Sequence, residues 1–420
     1  MTSPLAFFAV PIGVALFTHA LIPLARRVAH ARGLVDHPSW RRNQTEAVPC
    51  SGGLAIYAAV FGAAIVLGFT VGLPFEARAV AALGLAGLGT LLLGVVDDRF
   101  GLHAEKKLLG QIVVVSLPMA GGLLLERVTI LGLGTVELGL LSGPVTLFWY
   151  LGFINSINLI DGLDGLAGGV SAVVLAAVAA MLVGVDPVGC LWILACLGAV
   201  LGFLRNNLSS NRIFLGDAGS MLLGLWLGGL ILGQQTSTPQ VLWMALSAMA
   251  IPILDTVTTI MRRSRRGVSV FRADDEHIHH RLLRLGITPR RSVAVLLFLT
   301  LGAASTGAMF LGYPEAALLA LGGFASAAVE LAYRLPREGT PSVADAVLYL
   351  LGANVLVDES FGAETGHLAE VIEIQPYRLQ LTAEPELAKH TVRDQPQPVS
   401  KAAEGGGTDD VVLALGEEPH

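Results

Sequence analysis

Residues 79 to 96 read AVAALGLAGLGTLLLGVV, and residues 97 to 102 continue DDRFGL. The first stretch is eighteen residues without a charge, within the length an α-helix needs to cross a hydrocarbon core about 30 Å thick. It lacks the strict alternation of lipid-facing and lumen-facing positions that marks an outer-membrane barrel strand. The aspartates that close it are too costly to sit in hydrocarbon without a reason, so they mark an end of the span. Working outward, similar apolar runs recur near 4 to 25, 52 to 71, 108 to 125, 143 to 158, 167 to 185, 189 to 205, 219 to 234, 240 to 261, 292 to 311 and 316 to 333. The chain therefore reads as an all-α polytopic membrane protein with about 11 transmembrane helices.

Composition agrees. Of 420 residues, 53% are apolar, 14% charged and 49 are glycine, whereas a soluble domain carries about 25% charged residues. A water-soluble enzyme of two or three domains is excluded. Three cysteines, Cys50, Cys190 and Cys196, are too few for a disulfide framework. Residues 1 to 333 hold 18 acidic and 21 basic side chains, and residues 334 to 420 hold 15 and 6, so the net negative charge belongs to the tail. No basic residue precedes Arg26, and the first run therefore reads as a retained span rather than a cleavable signal.

The loops after alternate runs carry Arg26, Arg27, Arg32, Arg41, Arg42, Arg99, Lys106, Lys107, Arg205, Arg212 and a cluster from Arg262 to Arg291. The other loops hold little beyond Arg78 and Arg127. The positive-inside rule puts the basic loops in the cytoplasm, the N-terminus outside and the C-terminus cytoplasmic. A transmembrane catalytic domain is expected over 1–333, a partly structured cytoplasmic tail over 334–393, and a disordered acidic end over 394–420. A short amphipathic helix fits 343–357, and a hairpin fits the glycine-rich external stretch 126–143.

The polar residues are not scattered. VVDDRFGL brings Asp97 and Asp98; INSINLIDGLDGLAGG brings Asn155, Asn158, Asp161 and Asp164; NRIFLGDAGS brings Asp217; and DDEHIHHRLLRLG brings His277, His279 and His280. All four fall on the side read as cytoplasmic. Carboxylates on an open, glycine-lined backbone suit a hard cation such as Mg²⁺, which takes oxygen ligands and bridges carboxylates to substrate phosphates. Arginine and histidine nearby supply the opposite sign for those phosphates.

Each element also has a plainer reading. Asp97 and Asp98 alone would be a solvated cap at a span end. Asp161 and Asp164, three apart, share a face if that segment is helical, and their apolar flanks favour function over structure. Asp217 suits both a site and an N-cap of the eighth span, and GDAGS at a helix start offers free N–H groups to an anion. Three histidines would suit Zn²⁺, but neighbouring His279 and His280 are expected to project apart, which favours phosphate contact. Asp255, inside the ninth run, is expected to pair with Arg262 or Arg263. Those two with Arg265 and Arg266 are first a topology signal that attracts anionic lipid, and only secondarily a ligand contact.

In this order the four segments resemble the signatures of the polyprenyl-phosphate N-acetylhexosamine-1-phosphate transferases, and the similarity runs from about Asp36 to Gly286. The resemblance implies ten or eleven membrane helices, Mg²⁺ with Mn²⁺ as an alternative, and transfer of a sugar 1-phosphate from a UDP-N-acetylhexosamine to undecaprenyl phosphate or a related lipid, with release of UMP. HIHH, with PILDTVTTIMRRSRRG before it, is similar to the branch that uses UDP-N-acetylglucosamine. The phospho-N-acetylmuramoyl-pentapeptide branch is the alternative within the family, and a non-catalytic protein that binds lipid phosphate or nucleotide is the alternative outside it. Carried over residue by residue, the resemblance gives Asp217 and Asn155 to the metal, with Asn158 beside it and the diphosphate. It gives Phe214 to the uracil and Asp161 and Asp164 to the nucleotide. Asp97 and Asp98 go to the lipid phosphate and catalysis, and His277, His279 and His280, with Arg265 near them, to the diphosphate. In DHPSWRRNQTEAVPCSGG, Gln44, Glu46 and Cys50 stand where the family usually has histidine, a basic residue and arginine; this departure motivates the non-catalytic alternative. The family further implies a plasma membrane location with a cytoplasmic active site and no nucleic-acid partner, and the glycine-rich spans are compatible with a monomer or a homodimer.

Overall fold

The helices form where the apolar runs lie, because in hydrocarbon every backbone N–H and C=O has to be satisfied within the segment. The computed structural model describes residues 3–36, 47–130, 132–210, 212–235, 238–269 and 276–313. Ten of the eleven expected runs coincide with helices: α1 (Ala6–Arg32), α2 (Gly52–Thr70), α3 (Ala77–Phe100), α4 (Ala104–Ala120), α5 (Ser142–Ile160), α6 (Leu166–Leu182), α7 (Pro187–Asn207), α8 (Gly216–Gln234), the pair α9 (Val241–Ala248) and α10 (Ala250–Arg265), and α12 (Pro289–Phe310). A short α11 (Ile278–Arg284) precedes the last of these. The run at 316–333, the helix at 343–357, the acidic end, and Gln44 and Glu46 lie outside the described residues. Among the described residues, seven helices are long and apolar enough to cross a membrane, eight if α9 and α10 count as one span. The chain is an all-α polytopic membrane protein.

Three boundaries differ from expectation, and each has a physical reason. α1 runs seven residues beyond its apolar stretch, because the turn carrying Arg26 and Arg27 continues as helix and stops only at Gly33, in the left-handed region at φ 68°. α4 starts four residues earlier than its apolar run, which puts Lys106 and Lys107 in its first turn rather than in a loop. The ninth run is not one rod: α9 and α10 meet at Met249 with a 64° bend. The glycine-rich stretch 126–143 does form a hairpin, β3 (Arg127–Ile130) against β4 (Gly134–Glu137), antiparallel with Arg127 opposite Glu137.

The apolar surface is turned both ways. Leu5, Phe8, Ile12 and Leu16 of α1, Phe61 and Phe69 of α2, and Leu85 and Leu92 of α3 are exposed, a belt suited to acyl chains rather than to water. At the centre stands α8, buried along almost its whole length from Ala218 to Gln234. It is reached at backbone distance by three neighbours. A Cβ on Gly94 of α3 would overlap the Ala218 backbone, one on Gly53 of α2 that of Gly219, and one on Gly224 of α8 that of Ile154 in α5. Small residues let the helices approach this closely, and in lipid packing of this kind carries much of the association.

A second, two-stranded pairing links loops that the sequence keeps far apart. β1 (Val35–Asp36) pairs with β2 (Val48–Pro49), and the chain then meets Phe214 just before α8 through a parallel bridge at Cys50. The Phe214 N–H donates to Pro49 O at 2.8 Å, and Gly52 N–H to Phe214 O at 2.9 Å. The ends of α3, α5 and α10, the starts of α4, α6 and α8, and α11 meet at one end of the bundle, and the hairpin of β3 and β4 connects α4 to α5.

Candidate functional site

A lysine holds the centre. Lys107, one turn into α4, places Nζ 2.7 Å from Asp97 Oδ2, 3.0 Å from Asp217 Oδ1 and 2.9 Å from Asn158 Oδ1. Three helices therefore deliver oxygen atoms to one ammonium group: α3 through Asp97, α5 through Asn158 and α8 through Asp217. Asn158 also donates from Nδ2 to Asp217 Oδ1 and to Ser220 Oγ. Asp97 is buried, and its other oxygen accepts from Leu102 N–H at 2.8 Å, closing the C-terminal turn of α3 where Gly101 takes φ 62°. As a pair at a span end, Asp97 and Asp98 are not solvated caps.

Asp98 does something the sequence reading gave to Asp217. Its two oxygens accept the N–H groups of Asp217 at 2.8 Å and Ala218 at 3.2 Å. The first turn of α8 is thus capped across the bundle by a carboxylate of α3, where unpaired N–H groups and the positive dipole end both favour an anion. Two expectations are corrected by this. The Asp217 side chain does not cap its own helix, and these N–H groups are not free for a ligand. What Asp217 gains is orientation: its carboxylate turns to Lys107 and Asn158. Gly216 is needed at the entry, since it sits at φ 71° and a Cβ there would lie 2.7 Å from Asp98 Oδ2.

Asn155 lies one turn deeper in α5 and is engaged elsewhere. Its Nδ2 donates to Gln111 Oε1 at 2.8 Å and Gln111 Nε2 returns a bond to Asn155 Oδ1 at 3.3 Å. Gln111 is buried on the face of α4 that carries Lys107. Residues 161 to 165 are a turn between α5 and α6, so Asp161 and Asp164 do not share a helical face. Asp164 instead pairs with Arg212 at 3.1 Å. A buried asparagine fixes this turn: Gly165 N–H donates to Asn207 Oδ1 at 2.6 Å, and Asn207 Nδ2 donates to Ile213 O at 2.9 Å. One side chain of α7 therefore ties the turn of Asp161 and Asp164 to the segment leading to Phe214 and Asp217.

The histidine segment closes the group from the side of α10. Asp255 does not pair with Arg262 or Arg263; its Oδ2 lies 3.0 Å from His277 Nδ1, and its Oδ1 accepts Ile278 N–H at 2.9 Å. Arg262 and Arg266 hold Glu276 at 2.9 and 2.8 Å. His279 is buried against the Asp161 turn, where a Cβ on Gly162 would overlap its Nε2, and neither ring nitrogen has a hydrogen bond. Burial, with His280 and His277 adjacent, pushes its pKa down to about 3; it is neutral at physiological pH. The rings of His279 and His280 do not project apart but lie 4.2 Å between centroids. Arg265 lines an open cleft of about 370 Å³ with Thr258, Met261, Arg262 and Arg266, the last two being the arginines that hold Glu276 beside His277.

Sequence reading missed Lys107, Gln111, Asn207 and the partner of His277. A signal existed for the first two: a lysine and a glutamine four apart at the entry to an apolar run share one helix face. The donor set offers carboxylate and amide oxygens and no thiolate, which fits a hard cation, while among the described residues no three His, Cys, Asp or Glu side chains are disposed to hold a metal ion by themselves.

Fold and cluster together define a polytopic membrane protein whose carboxylates, amides, lysine and histidines meet at one end of its helices. Residues 80–234, which span most of this cluster, match the profile of Glycosyl transferase family 4. The chain is 34% identical over 288 residues to the probable undecaprenyl-phosphate N-acetylglucosaminyl 1-phosphate transferase of Bacillus subtilis (67% of this chain, 79% of that protein). It is 34% identical over 309 residues to the undecaprenyl-phosphate alpha-N-acetylglucosaminyl 1-phosphate transferase of Escherichia coli K12 (71% and 82%), and 32% identical over 364 residues to the decaprenyl-phosphate N-acetylglucosaminephosphotransferase of Mycobacterium tuberculosis H37Rv (79% and 89%). The chain belongs to the polyprenyl-phosphate N-acetylhexosamine-1-phosphate transferases of glycosyl transferase family 4.

Proposed function

We propose that the protein transfers N-acetylglucosamine 1-phosphate from UDP-N-acetylglucosamine to a polyprenyl phosphate and releases UMP. The observation that carries this reading is the meeting of Asp97, Asp217 and Asn158 on Lys107, beside the turn of Asp161 and Asp164; the names of the relatives support the substrates. A phosphate monoester has a second pKa of about 6, so the lipid phosphate is its own nucleophile. Its oxygen forms a bond to the sugar-bearing phosphorus, the bond from that phosphorus to the bridging oxygen breaks, and UMP leaves with the electron pair.

Chemistry of this type needs positioning and charge neutralisation more than covalent help. Lys107 supplies a fixed positive charge; Asp98 sets the start of α8 and so the aim of Asp217; Asp97 or Asp98 orients, or deprotonates, the acceptor. His279 and His280 serve the diphosphate, His279 as a neutral hydrogen-bonding ring. Asn158, His277 and Arg265 contact the UDP-sugar, with Phe214 at the base and Asp161 and Asp164 at the nucleotide. Mg²⁺, held by Asp217 and the substrate phosphates, with Asn155 one turn away on Gln111, would add charge neutralisation at the diphosphate. We further place the active end on the cytoplasmic face of a plasma membrane, with eleven spans, the N-terminus outside and the C-terminus inside, on the strength of the basic residues that flank it.

The test is exchange of labelled UMP into UDP-N-acetylglucosamine by purified protein with Mg²⁺ and polyprenyl phosphate. Transfer is expected; its absence from well-folded protein overturns the reading.

A further inference from the structure

Asp255 has no role in the mechanism above, yet it is among the most buried charged side chains of the described residues, at 6% exposure. It lies on α10, and its two oxygens are used separately. Oδ1 accepts the first N–H of α11, that of Ile278 at 2.9 Å, and Oδ2 faces His277 Nδ1 at 3.0 Å. A carboxylate accepts only, so Nδ1 carries the proton. That leaves Nε2 as the nitrogen His277 has for a ligand, and Nε2 has no hydrogen bond among the described residues. The rings of His277 and His279 lie parallel, within 4°, at 6.0 Å between centroids, and His279 packs on Gly162 beside Asp161. The orientation fixed by Asp255 is thus passed to the whole histidine face over the turn.

We propose that Asp255 is a positioning residue for the transfer reaction, holding His277 in the Nδ1–H form with Nε2 turned to the substrate phosphates. The inference rests on the transferase reading. It is separable from a mere cap on α11, because an amide in place of the carboxylate keeps one function and reverses the other. In Asp255→Asn the amide oxygen still accepts Ile278 N–H, while the amide NH₂ donates to His277 Nδ1 and drives the proton to Nε2. In metal sites, loss of the group that orients a ligating histidine lowers function by about 10–100-fold, and a loss of that size is expected here.

The experiment compares wild type, Asp255→Asn, Asp255→Ala, His277→Asn and the double variant Asp255→Asn/His277→Asn, in detergent. Each is assayed for UMP exchange and melting temperature, and ¹⁵N-histidine NMR of the first two reads the tautomer, the His277 signal being assigned by its loss in His277→Asn. Asp255→Asn should melt with wild type, lose about 10–100-fold in kcat and move the His277 proton from Nδ1 to Nε2. Adding it to His277→Asn should cost nothing more. An Asp255→Asn protein with wild-type turnover, an unmoved tautomer, a melting temperature as low as that of Asp255→Ala, or additive losses in the double variant would each overturn the proposal. Wild-type protein that does not exchange UMP would retire the transferase reading instead, while the tautomer signal still decides the pairing.

Discussion

The side chain that organises the polar cluster is Lys107, and its replacement is the sharpest test at this scale. Asp97 is buried and has the ammonium at 2.7 Å, so Lys107→Met strands a carboxylate in low dielectric. Breaking one partner of a buried pair costs about 3–5 kcal/mol, and the variant should unfold at visibly lower denaturant and lose exchange; Lys107→Arg should recover stability more than activity, since a planar guanidinium does not replace a point charge shared among three oxygens. His279 makes a prediction in pH. Its folded pKa, about 3, lies below the unfolded value of about 6.5, so between those values the unfolded chain binds the extra proton. Stability is complete above about 6.5 and is lost as pH falls toward 3. Carboxylates titrate in part of that range too, so the measure is a difference: the melting temperature of His279→Gln should fall less between pH 7 and 5 than that of wild type. Equal slopes would mean that the ring is not buried neutral.

Among the elements, α8 is the post on which the site is hung. Its first turn is capped by Asp98 of α3 and meets α3 and α2 backbone to backbone at Ala218 and Gly219, and further along it meets α5 in the same way at Gly224. Gly94→Val should therefore disrupt both packing and chemistry, because a side chain there pushes α3 from Ala218, one residue from Asp217. Overpacking of a tight contact costs about 1–3 kcal/mol; the expected result is a lower melting temperature with exchange reduced further than Gly89→Val, where the neighbour is a valine side chain at 3.2 Å. If both variants behave alike, the contact of α3 with α8 does not set the site. The bend between α9 and α10 shows why element breaks are harder to read than elements. The run from 240 to 261 stays apolar across it, and its one local breaker is Pro252 in the first turn of α10, which has no N–H to give the preceding turn. The 64° change of direction brings Asp255 to the histidine segment.

For the molecule as a whole, activity and topology are the expectations to check. Asp217→Ala should abolish UMP exchange while the protein is still expressed and folded; undiminished turnover would move the site elsewhere. Incubation with labelled UDP-sugar alone should leave no phospho-enzyme if the lipid phosphate attacks directly, and a trapped aspartyl phosphate would favour a covalent route. Much of this was legible in sequence, since hydrophobic length is a local property: ten runs gave ten helical regions, and the charges at their ends marked where polar residues would gather. Pairing was not legible, because it depends on which helix faces which. Lys107 reads as a loop cation in sequence, but α4 begins four residues early and takes it in; the cap considered for Asp217 comes instead from Asp98, on another helix; Asp255 meets His277, 22 residues on, rather than an arginine about two turns away. The chain's own letters determined that it lives in a membrane and where its apolar runs form helices, for burial in hydrocarbon acts on each segment by itself. Only tertiary structure decided which oxygen meets which proton, since hydrogen bonds and ion pairs act over about 3 Å between helices that the sequence sets a hundred residues apart.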